Sequence, residues 1–295
     1  MDVFPDLMHA DLRAAAVAAA HDLGLFAALP CPAADLADHL GVAPRRLAAL
    51  VRVLLADGVL AGSDGSLRAS TIPPRRSLPP GGWGNLAGVI RTDRPLAGEA
   101  ISGAPGPELN RFHDHLRTAG AGAAREVVER LGPWGPFLDL GGGAGAYAAA
   151  FLDAHPGETA VVVDRPAVLD LARETVPTAQ RVPLDLLGDG PWPSGARIAL
   201  LANVLHLYSP ADAGTLVGRA ARSLLPGGTL AVKDFDAASS AGILFSLNMA
   251  IFTETGEVHD AELLRSFLRD AGARDVQVQR LRCAPETLLV LGTVG

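Results

Sequence analysis

A chain of 295 residues that is 49% hydrophobic and 19% charged has enough apolar side chains for more than one packed core, which excludes global disorder. Its net charge of −7 excludes an extended polyanion as the main partner, because phosphate contacts need a clustered cationic surface, so nucleic acid is not expected. Cys31 and Cys283 form no Cys-x-x-Cys pair, the first residues carry no basic-then-apolar leader and no apolar run is long enough to span a bilayer; the expectation is a cytoplasmic chain with no membrane contact, disulfide framework or zinc site.

From Ala10 to about Leu29 the sequence is Ala/Leu-rich and helical, and a second helix begins at Pro32-Ala33-Ala34-Asp35-Leu36. A third follows Pro44, with Leu47, Leu50, Val51, Leu54 and Leu55 forming the stripe of an amphipathic helix. Val59 to Gly62 and Ser66 to Arg68, around Ser63-Asp64-Gly65, predict a hairpin like the wing of a winged helix-turn-helix. Such an element reads DNA or joins subunits. The chain is not basic, and the Leu47 to Leu55 stripe offers more apolar surface than a small module covers, so a homodimer through residues 1 to about 70 is expected. A DNA-binding regulator would instead need Arg45, Arg46 and Arg52 to form an exposed basic face.

Residues 71–84 are rich in Pro, Gly and Arg and read as a connector, and Asn110 to Leu131 is again helical. Beyond Gly132-Pro133-Trp134-Gly135-Pro136 the pattern changes. Strand-like runs (Phe137 to Leu140, Thr159 to Val163, Ile198 to Ala202, Thr229 to Val232) alternate with helical segments, the signature of a parallel sheet with crossover helices. The expected division is a winged-helix dimerisation domain at 1–70, a helical connector at 71–130 and an α/β domain at 131–295. Lys233 is the sole lysine among many arginines, a bias that fits a GC-rich, bacterial coding sequence.

Phe137-Leu138-Asp139-Leu140-Gly141-Gly142-Gly143-Ala144-Gly145-Ala146 is a strand entering a glycine turn that opens a helix, so a nucleotide-like ligand is implied. Gly141, Gly143 and Ala146 also satisfy the relaxed dinucleotide fingerprint, and Asp164, at the end of the next strand, suits a ribose diol in either NAD or S-adenosylmethionine. Two features favour the second cofactor. Asp185 stands where a third strand should end and can accept a bond from an adenine amino group. Val276 to Arg282 and Thr287 to Leu291 are joined by a turn too short for a parallel crossover, so the sheet ends on an antiparallel pair, unlike an all-parallel dinucleotide fold.

These segments resemble the small-molecule O-methyltransferases of the plant-caffeate and bacterial natural-product type over nearly the whole chain. The resemblance rests on His21-Asp22-Leu23-Gly24-Leu25-Phe26, Asp139-Leu140-Gly141-Gly142-Gly143, Asp164-Arg165-Pro166, Asn203-Val204-Leu205-His206, Leu225-Pro226-Gly227-Gly228 and Phe267-Leu268-Arg269-Asp270-Ala271-Gly272, in that order. It implies a Rossmann-like α/β methyltransferase sheet, mostly parallel with a C-terminal antiparallel strand, preceded by the α-helical winged-helix dimerisation domain. It implies S-adenosyl-L-methionine as cofactor, with S-adenosyl-L-homocysteine as product, held by Asp139, Gly141, Gly142, Gly143, Asp164, Arg165, Asp185, Leu186 and Asn203.

The expected reaction is O-methylation of a hydroxyl on a small aromatic or polyketide-like molecule. A phenol is mostly protonated at neutral pH, so a nearby imidazole helps, and His206 follows the strand Ile198 to Ala202 at the carboxyl edge of the sheet. The resemblance makes it the general base, although Leu207-Tyr208 replaces the family's usual Asp and Trp. Glu254 and Glu257 are the candidate carboxylates for the other ring nitrogen. Phe245, Asn248, Met249 and Phe252 share a helical face and, with Phe112 and Leu116 opposite, are the candidate acceptor pocket. No metal is expected. The alternative is an enzyme of the same fold that uses the bound cofactor for rearrangement, decarboxylation or hydroxylation.

Overall fold

The computed structural model describes residues 3–63, 65–79, 81–96 and 120–295, with side chains from residue 9 onward. Phe112 and Leu116 lie outside the described residues. In chain order the helices are α1 (Val3–Asp22), α2 (Leu36–Leu40), α3 (Pro44–Ala56), α4 (Leu86–Thr92), α5 (120–131), α6 (Ala146–Ala154), α7 (Pro166–Thr175), α8 (Pro210–Arg222), α9 (Ser240–Phe252) and α10 (Ala261–Asp270). The strands are β1 (Cys31–Pro32), β2 (Leu60–Ser63), β3 (Ser66–Ala69), β4 (Phe137–Leu140), β5 (Ala160–Asp164), β6 (Gln180–Pro183), β7 (Ala196–Ala202), β8 (Leu224–Phe235), β9 (Ala273–Arg280) and β10 (Thr287–Val294). They divide into two compact units, Met1–Ala97 with Ala237–Val258, and Gly98–Asp236 with His259–Gly295. No described helix is long and apolar enough to cross a membrane.

In the first unit α3 starts on Pro44, whose fixed φ suits a first helical turn, and leads into the β2–β3 hairpin, paired from Leu60↔Ala69 to Ser63↔Ser66. The stripe expected to await a partner is largely covered by the chain itself. Leu47, Leu50 and Leu54 are buried in one core with Leu12 and Ala16 of α1 and with Leu244, Leu247, Ala250 and Ile251 of α9. The sequence reading left α9 in the C-terminal domain because chain order carries no sign that a segment returns. Leu55 alone of the five is counted exposed.

The basic face is also absent among the described residues. Arg46 is buried; it donates to Asp93 Oδ1 at 2.7 Å and to the Ala250 and Thr253 carbonyls at the end of α9. Arg45 donates to the Glu254 carbonyl at 2.5 Å and the Gly256 carbonyl at 3.2 Å, so of the three arginines Arg52 alone stays exposed. Arg46 thereby meets a last-turn carbonyl of α9 and that of its C-terminal cap, and Arg45 meets carbonyls of the segment that follows.

The second unit is a seven-stranded sheet in the order β6-β5-β4-β7-β8-β10-β9, with β6, β5, β4, β7 and β8 parallel and β10 antiparallel to both its neighbours. Both faces are covered, so β4 is buried at all four positions and reads as a continuous rather than alternating apolar run. Leu138, Leu140, Leu201 and Val232 meet α8 and α10 on one face, while Phe137, Val162, Leu200 and Ala231 meet α5, α6 and α7 on the other. Because β5 lies on one side of β4 and β7 on the other, the connections diverge after β4. That switch point is where an open α/β sheet offers a crevice to a ligand.

Candidate active site

The chain leaves β4 in a turn that requires glycine. Gly141 has φ 67°, and a Cβ there would lie 2.6 Å from Val204 Cγ2; a Cβ on Gly142 would lie 2.6 Å from Asp139 Cγ. The Gly141 and Gly142 amides donate to the Val163 carbonyl at 2.8 and 3.2 Å, and Gly143 donates to Asp164 Oδ2 at 2.9 Å. Asp164 Oδ1 accepts from the Arg165 amide at 2.7 Å. These bonds fix the carboxylate at the tip of β5, and two oxygens with four lone-pair sites retain capacity for a vicinal diol. Asp185 is fixed similarly, its Oδ1 accepting from the Leu187 amide at 3.1 Å, while Leu186 is buried beside it. Arg219, which the sequence reading did not single out, holds this loop from α8 by donating to the Leu186 and Gly188 carbonyls, both at 2.8 Å. The glycine turn and the paired strand-end acids fit a nucleoside cofactor.

Beneath the turn lies a set of buried polar side chains. Asp139 Oδ2 accepts from the Ala148 amide at 3.0 Å, while Oδ1 is buried with no hydrogen-bond partner. Burial pushes the Asp139 carboxyl up to about 7, the Ala148 N–H opposes this and Asp164 adds to it. The Tyr147 hydroxyl is also buried and faces the Asn203 amide without completing a hydrogen bond to it. Asn203 sits in the left-handed region at φ 56°; its amide donates to the Lys233 carbonyl and its Oδ1 accepts from Lys233 Nζ, both at 2.7 Å.

The imidazole of His206 is carried by a 3-10 turn at Leu205–Leu207, directly after β7. The ring is buried, and its Nδ1 lies 2.6 Å from Asp234 Oδ1. Asp234 Oδ1 also accepts from the Phe235 amide at 2.8 Å, and its Oδ2 accepts from the His206 amide at 3.2 Å. Burial pushes the Asp234 carboxyl up, but the His206 ring, the Phe235 N–H and Lys233 together hold it below the ordinary carboxylate range. An ionised carboxylate only accepts, so Nδ1 carries the proton in this bond and the lone pair of the neutral ring falls on Nε2. His259, from the start of the second unit's last segment, adds a bond from Nε2 to the Leu205 carbonyl at 3.1 Å.

The carboxylate found against Nδ1 is Asp234, not Glu254 or Glu257. Those two belong to the first unit, Glu254 being exposed, and the electrostatic neighbour they share is Arg45. Nothing in a single sequence pairs residues 28 apart; the link follows from β7 and β8 being parallel neighbours, with Ala202 opposite Lys233. On α9, Phe252 packs against the first unit's core and Asn248 Oδ1 accepts from Trp83 Nε1 at 2.9 Å, while Phe245 is half-buried and Met249 buried.

Comparison with known proteins places these features in a family. Residues 113–274, more than half of the chain, match the O-methyltransferase domain. The chain is 29% identical over 305 residues to 3-hydroxy-5-methyl-1-naphthoate 3-O-methyltransferase of Streptomyces sahachiroi, covering 89% of this chain and 86% of that one. It is 28% identical over 314 residues to the tetracenomycin polyketide synthesis 8-O-methyl transferase of Streptomyces glaucescens, covering 93% and 91%. An O-methyltransferase family 2 protein from Planctomyces limnophilus, solved with apigenin, superposes with a TM-score of 0.73 at 22% identity over 100% of this chain and 97% of that one. Human N-acetylserotonin methyltransferase, solved with SAM, superposes with a TM-score of 0.61 at 23% identity over 99% and 97%. At those identities the structural likeness speaks for the fold.

Proposed function

This chain belongs to the O-methyltransferase domain family and is an S-adenosylmethionine-dependent O-methyltransferase, and from that premise we propose that it methylates a phenolic hydroxyl of a small aromatic or polyketide-like molecule with His206 as the base. The observation that carries the assignment of the base is the bond between His206 Nδ1 and Asp234, which directs the ring's lone pair to Nε2.

When bound, the cofactor supplies a sulfonium-activated methyl group, so the chain has to position an acceptor, exclude water and take up one proton. Asp164 would receive the ribose diol, Asp185 and Leu186 would flank the adenine, and the turn at Gly141–Gly143 would let the rest of the cofactor approach the backbone, a reading supported by the two fixed carboxylates and by the glycine turn. Nε2 of His206 takes the acceptor proton. Asp234 stabilises the resulting imidazolium and keeps the ring from turning.

The test is kinetic. His206→Ala should lower turnover by about 10² to 10⁴ with cofactor affinity nearly unchanged, and the loss should shrink on more acidic phenols that are already ionised at assay pH. Asp234→Asn should lower turnover as well, because the amide can donate to Nδ1 and invert the tautomer. Full rates for His206→Ala on weakly acidic phenols would remove the base. Acceptor turnover without release of S-adenosylhomocysteine would restore the non-methylating alternative.

The reading extends to a winged-helix homodimer, supported by α2, α3 and the β2–β3 hairpin. Exposed Leu55 and Ile72, rather than the internally buried leucines, are its apolar contribution. Sedimentation should give about twice the 30.4 kDa chain mass, and a monomer at micromolar concentration would remove the dimer. A cytoplasmic location belongs to the same reading, supported by the free thiols of Cys31 and Cys283.

A further inference from the structure

Lys233 is the only lysine of the chain, and it is buried near the end of β8. Its described partners are one neutral amide oxygen, Asn203 Oδ1 at 2.7 Å, and the Phe235 ring, whose centroid is 5.7 Å from Nζ. Asp234 and Glu286 attract it at longer range, and no described carboxylate forms an ion pair with it. An ammonium removed from water is costly unless an anion meets it. On the other side of the same cluster Asp139 presents the complementary deficit, a buried carboxylate oxygen without a donor.

The two groups share one face of the sheet. Asp139 pairs with Leu200 and Leu200 with Ala231; Lys233 is two residues beyond Ala231, so the pleat sends Asp139 and Lys233 to the α6 side. Ordinary sheet spacing puts their Cα atoms roughly 10 Å apart across the strands and about 7 Å along them. Between them stand the Tyr147 hydroxyl and the Asn203 amide, which joins the cluster to Lys233. An acceptor of cations at one end and a cation at the other is the arrangement that receives a zwitterion.

We propose that Lys233 is the counter-ion for the α-carboxylate of the cofactor's amino-acid end, with Asp139 receiving the α-ammonium at the opposite side of the cluster. The inference rests on the cofactor assignment above and concerns the half of the cofactor that the strand-end acids do not address. Burial lowers the Lys233 ammonium to about 8 despite the attraction of Asp234 and Glu286, as expected for a charge whose main partner is a ligand.

The experiment is calorimetric titration of the full chain with S-adenosylhomocysteine and with 5′-methylthioadenosine, which keeps the adenosine thioether and lacks the amino-acid end. Lys233→Met should weaken S-adenosylhomocysteine about 10- to 100-fold and leave methylthioadenosine unchanged, while Lys233→Arg should retain part of the difference. Equal weakening of both ligands, or of neither, overturns the proposal. Should the methionine variant fail to fold, the wild-type protein with carbon-13-labelled lysine gives one lysine side-chain signal by NMR. That signal should shift with S-adenosylhomocysteine and not with methylthioadenosine, and a signal unmoved by the first ligand overturns the proposal. Binding of neither ligand by the wild-type protein would remove the cofactor assignment and this inference together.

Discussion

Asp139 shows how a single side chain serves two demands. As a carboxylate oxygen it caps the Ala148 amide inside the first turns of α6, and its bulk is the reason Gly142 carries no Cβ, yet burial holds its proton up to about 7. A carboxyl whose folded value is raised from 3.8 to about 7 takes up a proton on folding, so its stabilising contribution is full below pH ~4 and is lost as pH rises to about 7. Asp139→Asn should therefore flatten the pH dependence. The difference in urea midpoint between about pH 5 and pH 8 should be smaller in the variant than in the wild type, and equal differences would mean that Asp139 ionises normally in the fold. At this scale the sequence was legible where a residue's role follows from its neighbours in the chain. Asp164 ends a strand and Asp185 and His206 follow one, so each could be placed at the carboxyl edge from order alone. Asp234 and Lys233 could not, because their partners lie across the sheet, and adjacent strand residues point to opposite faces, so one supports the imidazole while the other enters the polar cluster.

At the scale of elements, the parallel strands were readable as apolar runs and the antiparallel end as a short connection, because burial on both faces and turn length leave direct marks in sequence. Helix α9 left no such mark. It reads as one more apolar helix of the C-terminal half, and its place in the first unit's core is fixed by contacts with residues some two hundred positions earlier. Arg46 is the tie. Its guanidinium satisfies the Ala250 and Thr253 carbonyls, and replacing it with methionine keeps much of the volume while leaving those acceptors without their donor. Arg46→Met should destabilise by about 1–3 kcal/mol, and Arg46→Lys should recover only part, since one ammonium cannot reproduce a planar fork. Denaturant unfolding checks both, and a methionine variant as stable as the wild type would mean that water satisfies the carbonyls instead. The same close packing predicts that Gly141→Ala is costly twice over, through its φ of 67° and through the Val204 methyl 2.6 Å from the new Cβ. Its S-adenosylhomocysteine affinity should fall together with its stability.

For the whole molecule, the division expected near residue 130 differs from the one observed, in which the first unit runs Met1–Ala97 and is completed by Ala237–Val258. Composition shifts mark linkers; they do not mark an excursion of 22 residues that leaves one unit's sheet, completes the other unit's core and returns. The consequence is a folding dependence. Without α9, residues 1–97 would expose the faces of Leu47, Leu50 and Leu54 that Leu244, Leu247 and Ile251 cover, and Arg45 and Arg46 would lose their carbonyl partners. Burying each such leucine contributes roughly 1.5–3 kcal/mol, and a small domain's net stability is only about 5–15 kcal/mol, so this loss is comparable to the whole margin. A fragment of residues 1–97 should show no cooperative unfolding transition by circular dichroism in urea. Adding residues 237–258 through a flexible Gly/Ser linker should restore one, and replacing Leu247 and Ile251 in that segment by serine should abolish it again. A cooperative transition from the fragment alone would show that the N-terminal helices form a self-sufficient core and that α9 merely rests on it.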